Sequence, residues 1–418
     1  MEWMTMPWSF LYIDPNSVDT SAMGSSAICR MRHSALLGFK RGLALLGGGV
    51  LLAMPLTAAA QFNFSLDTLL GRNQGLSKAQ CPECAGAIRS HVVAPSASPL
   101  PLTPPSDSNP RMDAFARVMR SPASVGLLVL KGTEIQFEGY TEGVNGQTGV
   151  VSFSRAKSVI SLAVGQALCA GKIPSLEVQA QDLVPELAQT VYGRARIKSL
   201  LSMASGAATG LPHGDTVPGE SGRWLQGVKT QLKTLQDYPG EAIPLFVKTG
   251  EGIFKYKNQD TSALVLILQA FEAGRIEAWF DERVWKPVRA EGPVMWALDR
   301  GGAPIGPAFF GAGTRDWGRL GHYINQTLRG ENQESCLRDY LLAATRRQVS
   351  TGNSQFQGYG YQMWTHFHRD RVGDVVWFRG VGGQLLALHP PSHSVMVYSA
   401  LNESVTEQVA AAFVDWVH

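Results

Sequence analysis

Short apolar runs bounded by turn residues alternate along this chain with longer apolar or amphipathic runs. The short runs predict strands and the longer runs predict helices. Residues 124–130 (SVGLLVL) and 134–140 (EIQFEGY) predict two short strands, and residues 131–133 (KGT) between them are typical of a hairpin. The next apolar run, residues 158–170 (SVISLAVGQALCA), has the length and composition of a helix.

The middle of the chain, from about residue 174 to residue 344, predicts a mainly helical and loop region. Its amphipathic or apolar stretches lie at residues 197–204, 262–273 and 317–327. Strand patterns return at residues 374–379, 384–388 and 394–400, and a closing helix is predicted at residues 405–418. Strands at both ends with helices between them predict an α+β fold, in which an antiparallel sheet flanked by helices carries an inserted mainly helical domain.

The first sixty residues predict a targeting segment rather than part of the fold. A basic flank precedes the apolar run 43–56, and small residues follow at 57–60 (TAAA). This order is typical of a secretory signal, and the apolar run is short for a membrane span. We expect cleavage after Ala60, a periplasmic or secreted protein and no stable membrane span after cleavage. Residues 1–30 are interpreted as an upstream extension, and an uncleaved N-terminal anchor is the alternative.

Residues 61–111 are interpreted as a leader and linker, and residues 112–418 as the catalytic domain. The stretch 94–110 (APSASPLPLTPPSDSNP) is dense in proline and serine and cannot build a core. It therefore predicts an extended linker.

The leader also holds a C-x-x-C pair, Cys81 and Cys84, which is compatible with a redox couple, half a zinc site or a local disulfide. We favour a small structural disulfide because the targeting segment indicates an oxidising compartment. Cys169 and Cys336 stand alone in the sequence, and Cys169 on its apolar helix is predicted to be a buried thiol.

Composition narrows the classes of partner. The chain has 418 residues, of which 44% are hydrophobic and 17% charged, and its formal net charge is +3. This is ample for a large core, and there is no basic stripe for nucleic acid and no acidic block for disorder. We therefore expect no nucleic acid as a partner.

The most informative chemistry lies just before the apolar helix. Ser154 and Lys157 form an S-x-x-K pair, and positions i and i+3 lie on the same helix face. Backbone N–H groups and the positive end of the helix dipole gather at such a helix start. A lysine buried there can lose its proton near neutral pH and activate the serine. The alternative is a surface lysine on an ordinary helix.

A serine nucleophile also needs a second base, and Tyr256 is the candidate. Tyr256 and Asn258 form a Y-x-N pair just before an apolar helix. A phenolate held near a lysine can accept the serine proton and later donate it to the leaving group. Asn258 is predicted to position Lys157 or the substrate carbonyl. A second Y-x-N at Tyr323 lies inside a helical run, so it is predicted to pack.

An oxyanion hole is the remaining requirement, and a late glycine-rich segment fits it. Gly380 and Val381 lie between two predicted strands, where a backbone N–H together with that of Ser154 can bind the oxyanion. The alternative is a hairpin turn without function. Residues 248–250 (KTG) match the K-T-G triad of penicillin-recognising enzymes, but they precede Tyr256 and lack a strand pattern, so we interpret this copy as coincidental.

A histidine-rich segment raises the question of a metal. His366, His368 and Asp370 form H-x-H-x-D, but the further histidine of zinc hydrolases is replaced by Arg371. A dedicated zinc site needs three or four converging ligands. We therefore interpret this segment as a polar loop between strands and predict no metal.

In this order the motifs resemble those of the serine β-lactamase-like, penicillin-recognising superfamily. The resemblance is greatest to its class C β-lactamase-related branch, which includes 6-aminohexanoate-dimer hydrolases and EstB-type esterases. It covers residues 112–418 and implies a β-lactamase/transpeptidase-like fold. The stretches that carry it are residues 153–158 (FSRAKS), 197–206 (IKSLLSMASG), 256–260 (YKNQD), 358–364 (GYGYQMW) and 380–384 (GVGGQ).

Carried over residue by residue, the resemblance implies that Ser154 is the nucleophile and that Lys157 and Tyr256 share the acid and base work. The Ser154 and Val381 N–H groups form the implied oxyanion hole. Gly380 and Val381 replace the cationic or histidine-led triad that meets a β-lactam carboxylate, which argues against a dedicated β-lactamase. Arg379 could partly restore the charge, unless it points to the other face of its strand.

The sequence therefore predicts a secreted serine hydrolase that cleaves an ester or amide through an acyl-serine intermediate. We expect a small ester, amide or short peptide as its substrate, and no cofactor. A D-alanyl peptidase or β-lactamase acting on cell-wall-like substrates is the alternative enzyme. A catalytically silent envelope-binding module is the alternative of another class. Substrate choice is expected to depend on loops at residues 211–248 and 293–313, and Trp224, Trp296 and Trp364 are candidates for either an acyl pocket or the core.

Overall fold

The computed structural model describes residues 66–70, 90–104, 110–207, 252–271, 276–298 and 302–418. Several predictions fall outside these described residues and remain predictions. They concern the targeting segment 1–60, the pair Cys81 and Cys84, the K-T-G copy at 248–250, the loop 211–248 and Trp224.

The strands are, in chain order, β1 (Ser90–Val93), β2 (Ser124–Lys131), β3 (Glu134–Tyr140), β4 (Gly149–Val151), β5 (Val294–Ala297), β6 (Phe310–Gly313), β7 (Val349–Ser350), β8 (Phe356–Tyr359), β9 (Trp364–Phe367), β10 (Val376–Gly380), β11 (Gln384–His389) and β12 (Ser394–Ala400). The helices are α1 (Leu66–Leu69), α2 (Asp113–Met119), α3 (Ala156–Cys169), α4 (Ala180–Leu183), α5 (Ile197–Leu201), α6 (Asn258–Ala270), α7 (Ile276–Phe280), α8 (Thr314–Arg329), α9 (Ser335–Ala344) and α10 (Thr406–Val417). Among these described helices, none combines the length and the continuous apolar character needed to cross a membrane.

Eight strands form one antiparallel sheet in the order β3-β2-β12-β11-β10-β9-β8-β7. The predicted β2–β3 hairpin and the three late strands are confirmed. Side chains alternate across the sheet, so Val376 and Phe378 of β10 enter one hydrophobic cluster and Trp377 enters the other. The first cluster includes α3, α6 and α8, and the second includes α2 and α10. The predicted sheet with helices on its faces is therefore confirmed.

A second sheet, in the order β1-β5-β6-β4, was not predicted. The region 174–344, expected to be mainly helical and loop, contributes β5 and β6 to it. These strands have four residues each, and β6 is half glycine, so they carry no alternating pattern. The interpretation of residues 366–370 as a loop was also wrong in part, because His366 and Phe367 lie on β9.

Part of the range assigned to the leader contacts the domain. Strand β1 pairs with β5, and the Leu100 N–H donates to the Arg289 carbonyl. The guanidinium of Arg319 in turn donates to the Leu100 carbonyl. Residues 90–104 are thus fixed to the surface by backbone hydrogen bonds, and the domain boundaries themselves stay predictions.

Cys169 and Cys336 form a disulfide between the end of α3 and the start of α9. The prediction that Cys169 is a buried thiol was wrong. The two cysteines are separated by 167 residues, and nothing in the local sequence of either one indicates the partner.

Candidate active site

Ser154 and Lys157 lie at the junction between a single 3-10 turn, Phe153–Arg155, and helix α3. The Lys157 Nζ donates to Ser154 Oγ at 2.9 Å and to the Pro307 carbonyl at 3.0 Å. Lys157 is 1% exposed, whereas Ser154 is partly exposed. The hydroxyl is therefore reachable from solvent, and the amine that touches it is enclosed.

The backbone just before Ser154 is strained. Phe153 has φ of 45°, in the left-handed region that a bulky side chain rarely adopts. Such conformations are maintained only where the surrounding contacts fix them, and they are common at functional sites. Phe153 is buried against Val125 and Val150, which hold the turn in place.

Tyr256 reaches the same place from another part of the chain. Its ring centre lies 5.0 Å from Lys157 Nζ. The ring stacks on Trp364 at a centroid distance of 5.5 Å and meets Tyr359 edge-on at 6.1 Å. Two aromatic neighbours therefore fix the phenol beside the Ser154 and Lys157 pair.

The segment that carries Tyr256 runs beside residues 203–207, a part of the 197–206 stretch singled out in the sequence. The Lys255 N–H donates to the Met203 carbonyl at 2.7 Å. The buried Lys257 Nζ donates to Ser205 Oγ at 2.7 Å and to the Ala207 carbonyl at 3.0 Å, and it forms an ion pair with buried Asp260 at 3.1 Å. Lys257, the middle residue of the Y-x-N motif, thus fixes the backbone next to Tyr256.

Asn258 is the first residue of α6, two positions beyond Tyr256, and it is partly buried. Its backbone carbonyl accepts a hydrogen bond from the Ser262 hydroxyl at 3.4 Å. The role predicted for the Asn258 side chain stays a prediction.

Gly380 and Val381 lie against the turn that carries Ser154. A Cβ added to Gly380 would lie 2.3 Å from the Ser152 carbonyl oxygen and 3.2 Å from the Phe153 Cβ. Val381 begins the turn between β10 and β11 and packs in the same small cluster as Phe153. Only glycine permits this approach. The backbone of residues 380–381 is therefore adjacent to the predicted nucleophile, and its role in binding an oxyanion stays a prediction.

Sequence reasoning missed Arg155, which is fully buried next to Ser154. Its guanidinium lies 4.6 Å from the centre of the Trp317 ring and donates to the Leu385 carbonyl at 3.3 Å. Burial lowers the pKa of Arg155 to about 9. The only sequence signal was a charged residue inside an apolar segment.

Gln362 was also missed, and it joins the elements that carry the site. Its amide nitrogen donates to the Leu200 carbonyl at 2.9 Å, and its amide oxygen accepts from Thr261 Oγ1 at 2.7 Å. Its backbone carbonyl accepts from Ser158 Oγ at 2.6 Å. One buried residue with φ of 57° therefore connects α3, α5 and α6.

The remaining aromatic residues singled out in the sequence differ in where they lie. Tyr323 is buried in α8, as its helical pattern predicts, and its hydroxyl accepts from Gln166. Trp296 is fully buried, and its indole donates to the Ile305 carbonyl, so it belongs to the core. Trp364 is almost as buried but touches Tyr256.

Arg379 extends over the rings of Phe356 and Trp364, at 4.1 Å and 5.4 Å from their centres. Its strand neighbour Gly380 meets the Ser152 turn instead. Burial lowers the pKa of the Arg379 guanidinium. The side chain is therefore held by aromatic rings. The expectation that it restores a charge at residues 380–383, called the glycine turn below, stays a prediction.

The H-x-H-x-D residues do not converge. His366 contacts the Thr365 hydroxyl, and His368 lies 3.2 Å from a Glu407 carboxylate oxygen. The Asp370 carboxylate accepts the N–H groups of Gly373 and Val375. These three side chains therefore take separate roles around the ends of β9 and β10.

Several solved structures have the same fold as this chain. A protein described as a 6-aminohexanoate-dimer hydrolase from Bacillus anthracis is 18% identical, with a TM-score of 0.63 over 80% of this chain and 92% of that one. A protein described as a β-lactamase from Bacteroides dorei DSM 17855 is 17% identical, with a TM-score of 0.56 over 73% of this chain and 98% of that one. EstCE1, a hydrolase with promiscuous acyltransferase activity, is 13% identical, with a TM-score of 0.57 over 73% of this chain and 97% of that one.

No protein-family model matches the chain, and no curated protein matches it. At these identities the likeness concerns the fold. The predicted β-lactamase/transpeptidase-like fold is confirmed, and the resemblance carried by the sequence motifs is confirmed at that level.

Proposed function

We propose that this chain, which has the fold of serine β-lactamases and penicillin-binding proteins, is a serine hydrolase that cleaves an ester or amide through an acyl-serine intermediate. The observation that carries the proposal is the 2.9 Å contact between Lys157 Nζ and Ser154 Oγ beneath the Tyr256 ring. A nucleophile, a base and a second acid–base group in contact are the requirements of this chemistry.

The reaction follows from the positions of these groups. The Ser154 oxygen attacks the substrate carbonyl carbon while its proton passes to the Lys157 and Tyr256 pair. The backbone N–H groups of Ser154 and Val381 stabilise the oxyanion. Collapse breaks the bond to the leaving alcohol or amine, which takes the proton back. Water then attacks the acyl carbonyl, returns a proton to Ser154 and releases the acid.

Simple esters and amides are the proposed substrates because the glycine turn lacks a cation. Gly380 and Val381 occupy the place of the cationic triad, and Arg379 is engaged with Phe356 and Trp364. The hydrolase with promiscuous acyltransferase activity supports acyl transfer as the reaction class of this fold.

We also propose export from the cytoplasm. Residues 43–60 support it by their signal-like order, and the Cys169–Cys336 disulfide supports it because disulfides persist in oxidising compartments. Expression with and without residues 1–60, followed by fractionation and N-terminal sequencing, tests this. Cytoplasmic retention of the full chain would refute it.

Turnover of p-nitrophenyl esters and labelling by a fluorophosphonate test the hydrolase proposal. We expect Ser154→Ala to lose both, and peptide mass mapping of the wild type to place one adduct on Ser154. Ser152→Ala is the matched control, because its hydroxyl contacts only the Phe153 carbonyl among the described residues, and it should keep the adduct. Full turnover by Ser154→Ala would refute the assignment.

The same experiments, extended to amide and β-lactam probes, distinguish the hydrolase from the two alternative functions. Covalent capture of fluorescent penicillin without ester turnover would favour a D-alanyl peptidase or β-lactamase. Absence of any adduct across esters, amides and β-lactams would favour a silent binding module and overturn the proposal.

A further inference from the structure

Three side chains with metal-binding atoms meet at the end of the β10–β11 hairpin that is distant from the glycine turn. Asp374 precedes β10, His389 ends β11, and His418 follows α10. One ligand atom from each residue lies within 4.8 Å of the other two. These residues come from three separate segments, and none of them belongs to the H-x-H-x-D motif.

The ligand atoms are close enough together to share one metal ion. His389 Nε2 lies 3.2 Å from Asp374 Oδ2, and His418 Nε2 lies 3.3 Å from Asp374 Oδ1. Two ligand atoms bound to a tetrahedral zinc ion at normal bond lengths lie about 3.3 Å apart. Each histidine nitrogen thus lies at this separation from a different one of the two carboxylate oxygens. Since one ligand atom of each residue lies within 4.8 Å of the other two, the three donors are close enough to share one ion.

A chain of hydroxyl groups orients the His389 ring toward this point. The Ser394 hydroxyl donates to the Ser392 carbonyl, and the Ser392 hydroxyl donates to Ser394 Oγ at 2.8 Å. Ser392 Oγ lies 2.6 Å from His389 Nδ1, and the backbone N–H of Ser392 donates to the same nitrogen at 3.3 Å. His389 Nε2 faces the Asp374 carboxylate. A metal ion bound to Nε2 would leave the ring proton on Nδ1, where Ser392 Oγ can accept it.

The carboxylate is itself unsatisfied. Asp374 Oδ1 is buried and receives no hydrogen bond from the described part of the chain, although His418 Nε2 is near it. A buried acceptor without a donor is costly, and a bound cation removes that cost.

We propose that Asp374, His389 and His418 bind a divalent transition-metal ion, for which Zn²⁺ has the best-matched ligand preference. Two imidazoles and one carboxylate are a normal zinc ligand set, and a fourth position remains open to water on the exposed side of His418. The ion fastens the end of α10 to the β10–β11 hairpin. Its role is structural, since the site lies at the opposite end of that hairpin from Ser154, and it is independent of the proposed hydrolase activity.

Zinc binding to the metal-free full chain tests the proposal. Isothermal titration with Zn²⁺ is expected to show one equivalent bound, with a rise in melting temperature. Titration with Co²⁺ is expected to give the intense visible absorption of a tetrahedral ion. A Cys81→Ser/Cys84→Ser background removes the other pair of candidate ligands.

Four further variants locate the ion. His418→Ala and Asp374→Asn each remove a ligand and are expected to weaken Zn²⁺ affinity more than tenfold. Ser392→Ala removes the partner that orients His389 and is expected to weaken it by about 10- to 100-fold. His368→Ala is the matched control, because this histidine is similarly exposed and lies beside Glu407 instead. Failure of the wild type to bind Zn²⁺, or equal affinity in His418→Ala, Asp374→Asn and His368→Ala, would overturn the proposal.

Discussion

The Lys157 side-chain nitrogen lies 5.0 Å from the centre of the Tyr256 ring, beneath a phenol that is held by its own aromatic neighbours. Stacking on Trp364 and the edge contact with Tyr359 position the ring independently of its hydroxyl. The hydroxyl can therefore be removed without moving the ring, which separates the chemical role of Tyr256 from its packing role.

Tyr256→Phe is expected to lower kcat for ester hydrolysis by about 10²- to 10⁴-fold, the usual contribution of a positioned acid or base. The melting temperature should change little, because the stacked ring is retained. Steady-state kinetics with p-nitrophenyl esters and a thermal melt check both parts.

Tyr323→Phe is the matched control for this substitution. It removes a tyrosine hydroxyl from the other Y-x-N motif, where the hydroxyl accepts a hydrogen bond from the Gln166 amide at 3.5 Å and Tyr323 packs within α8. We expect normal turnover in this variant. Equal kinetics for Tyr256→Phe and wild type would exclude the phenol from catalysis.

Gly380→Ala is expected to damage the site through the backbone. The new Cβ would lie 2.3 Å from the Ser152 carbonyl oxygen, so the strand or the turn must move. Overpacking of this kind lowers the free energy of unfolding by about 1–3 kcal/mol, and the displaced turn carries Ser154. Gly149→Ala, whose Cβ would meet nothing within 4 Å, should behave as wild type. Urea unfolding and labelling rates compare the two, and an active, stable Gly380→Ala would contradict the close approach.

The strands and helices whose apolar residues recur at a regular spacing were predictable from the sequence. The residues that meet around Ser154 could also be selected from the sequence. Ser154, Lys157 and Tyr256 were selected because their chemistry is complementary. The fold brings the Lys157 amine within 2.9 Å of Ser154 Oγ and within 5.0 Å of the centre of the Tyr256 ring, and the role of Asn258 stays a prediction. The motif at 197–206 was noted only as a resemblance. Its physical role, which is to hold the Tyr256 segment through Lys257 and Ser205, needed the structure.

The features that were missed depend on contacts between distant segments. Strands β5 and β6 are short and lack alternation, and they exist because β1 and β4 pair with them. Gln362 is one polar residue in a loop, and its importance arises from partners on three helices. The sequence around each of these residues does not indicate which distant residues they will contact.

Removal of the Cys169–Cys336 disulfide is expected to destabilise the fold. The bridge restricts a loop of 167 residues in the unfolded chain, and such bridges contribute about 2–4 kcal/mol. The double variant Cys169→Ser/Cys336→Ser should therefore melt at a lower temperature than wild type. In a Cys81→Ser/Cys84→Ser background, a reductant should lower the melting temperature of the protein that keeps the Cys169–Cys336 bridge and leave that of the double variant unchanged. Identical melting of both proteins without reductant would refute the contribution.

Acid should destabilise the protein partly through His322. Burial, followed by the nearby His393, lowers the pKa of His322 to about 4, while Glu331 acts in the opposite direction. An unfolded histidine titrates near 6.5, so the unfolded chain binds the proton more readily. The stabilisation is complete above about pH 6.5 and is lost as the pH falls toward about 4, with an upper limit of about 3 kcal/mol.

His322→Gln removes this titration and can still donate to the Gly132 carbonyl that His322 Nδ1 contacts at 3.1 Å. Its free energy of unfolding should therefore fall less than that of wild type between about pH 7 and about pH 4.5. Urea unfolding across this range measures the slopes, so a constant loss of packing in the variant does not affect the comparison. Parallel curves for His322→Gln and wild type would show that the neutral, buried His322 imidazole does not contribute to acid sensitivity.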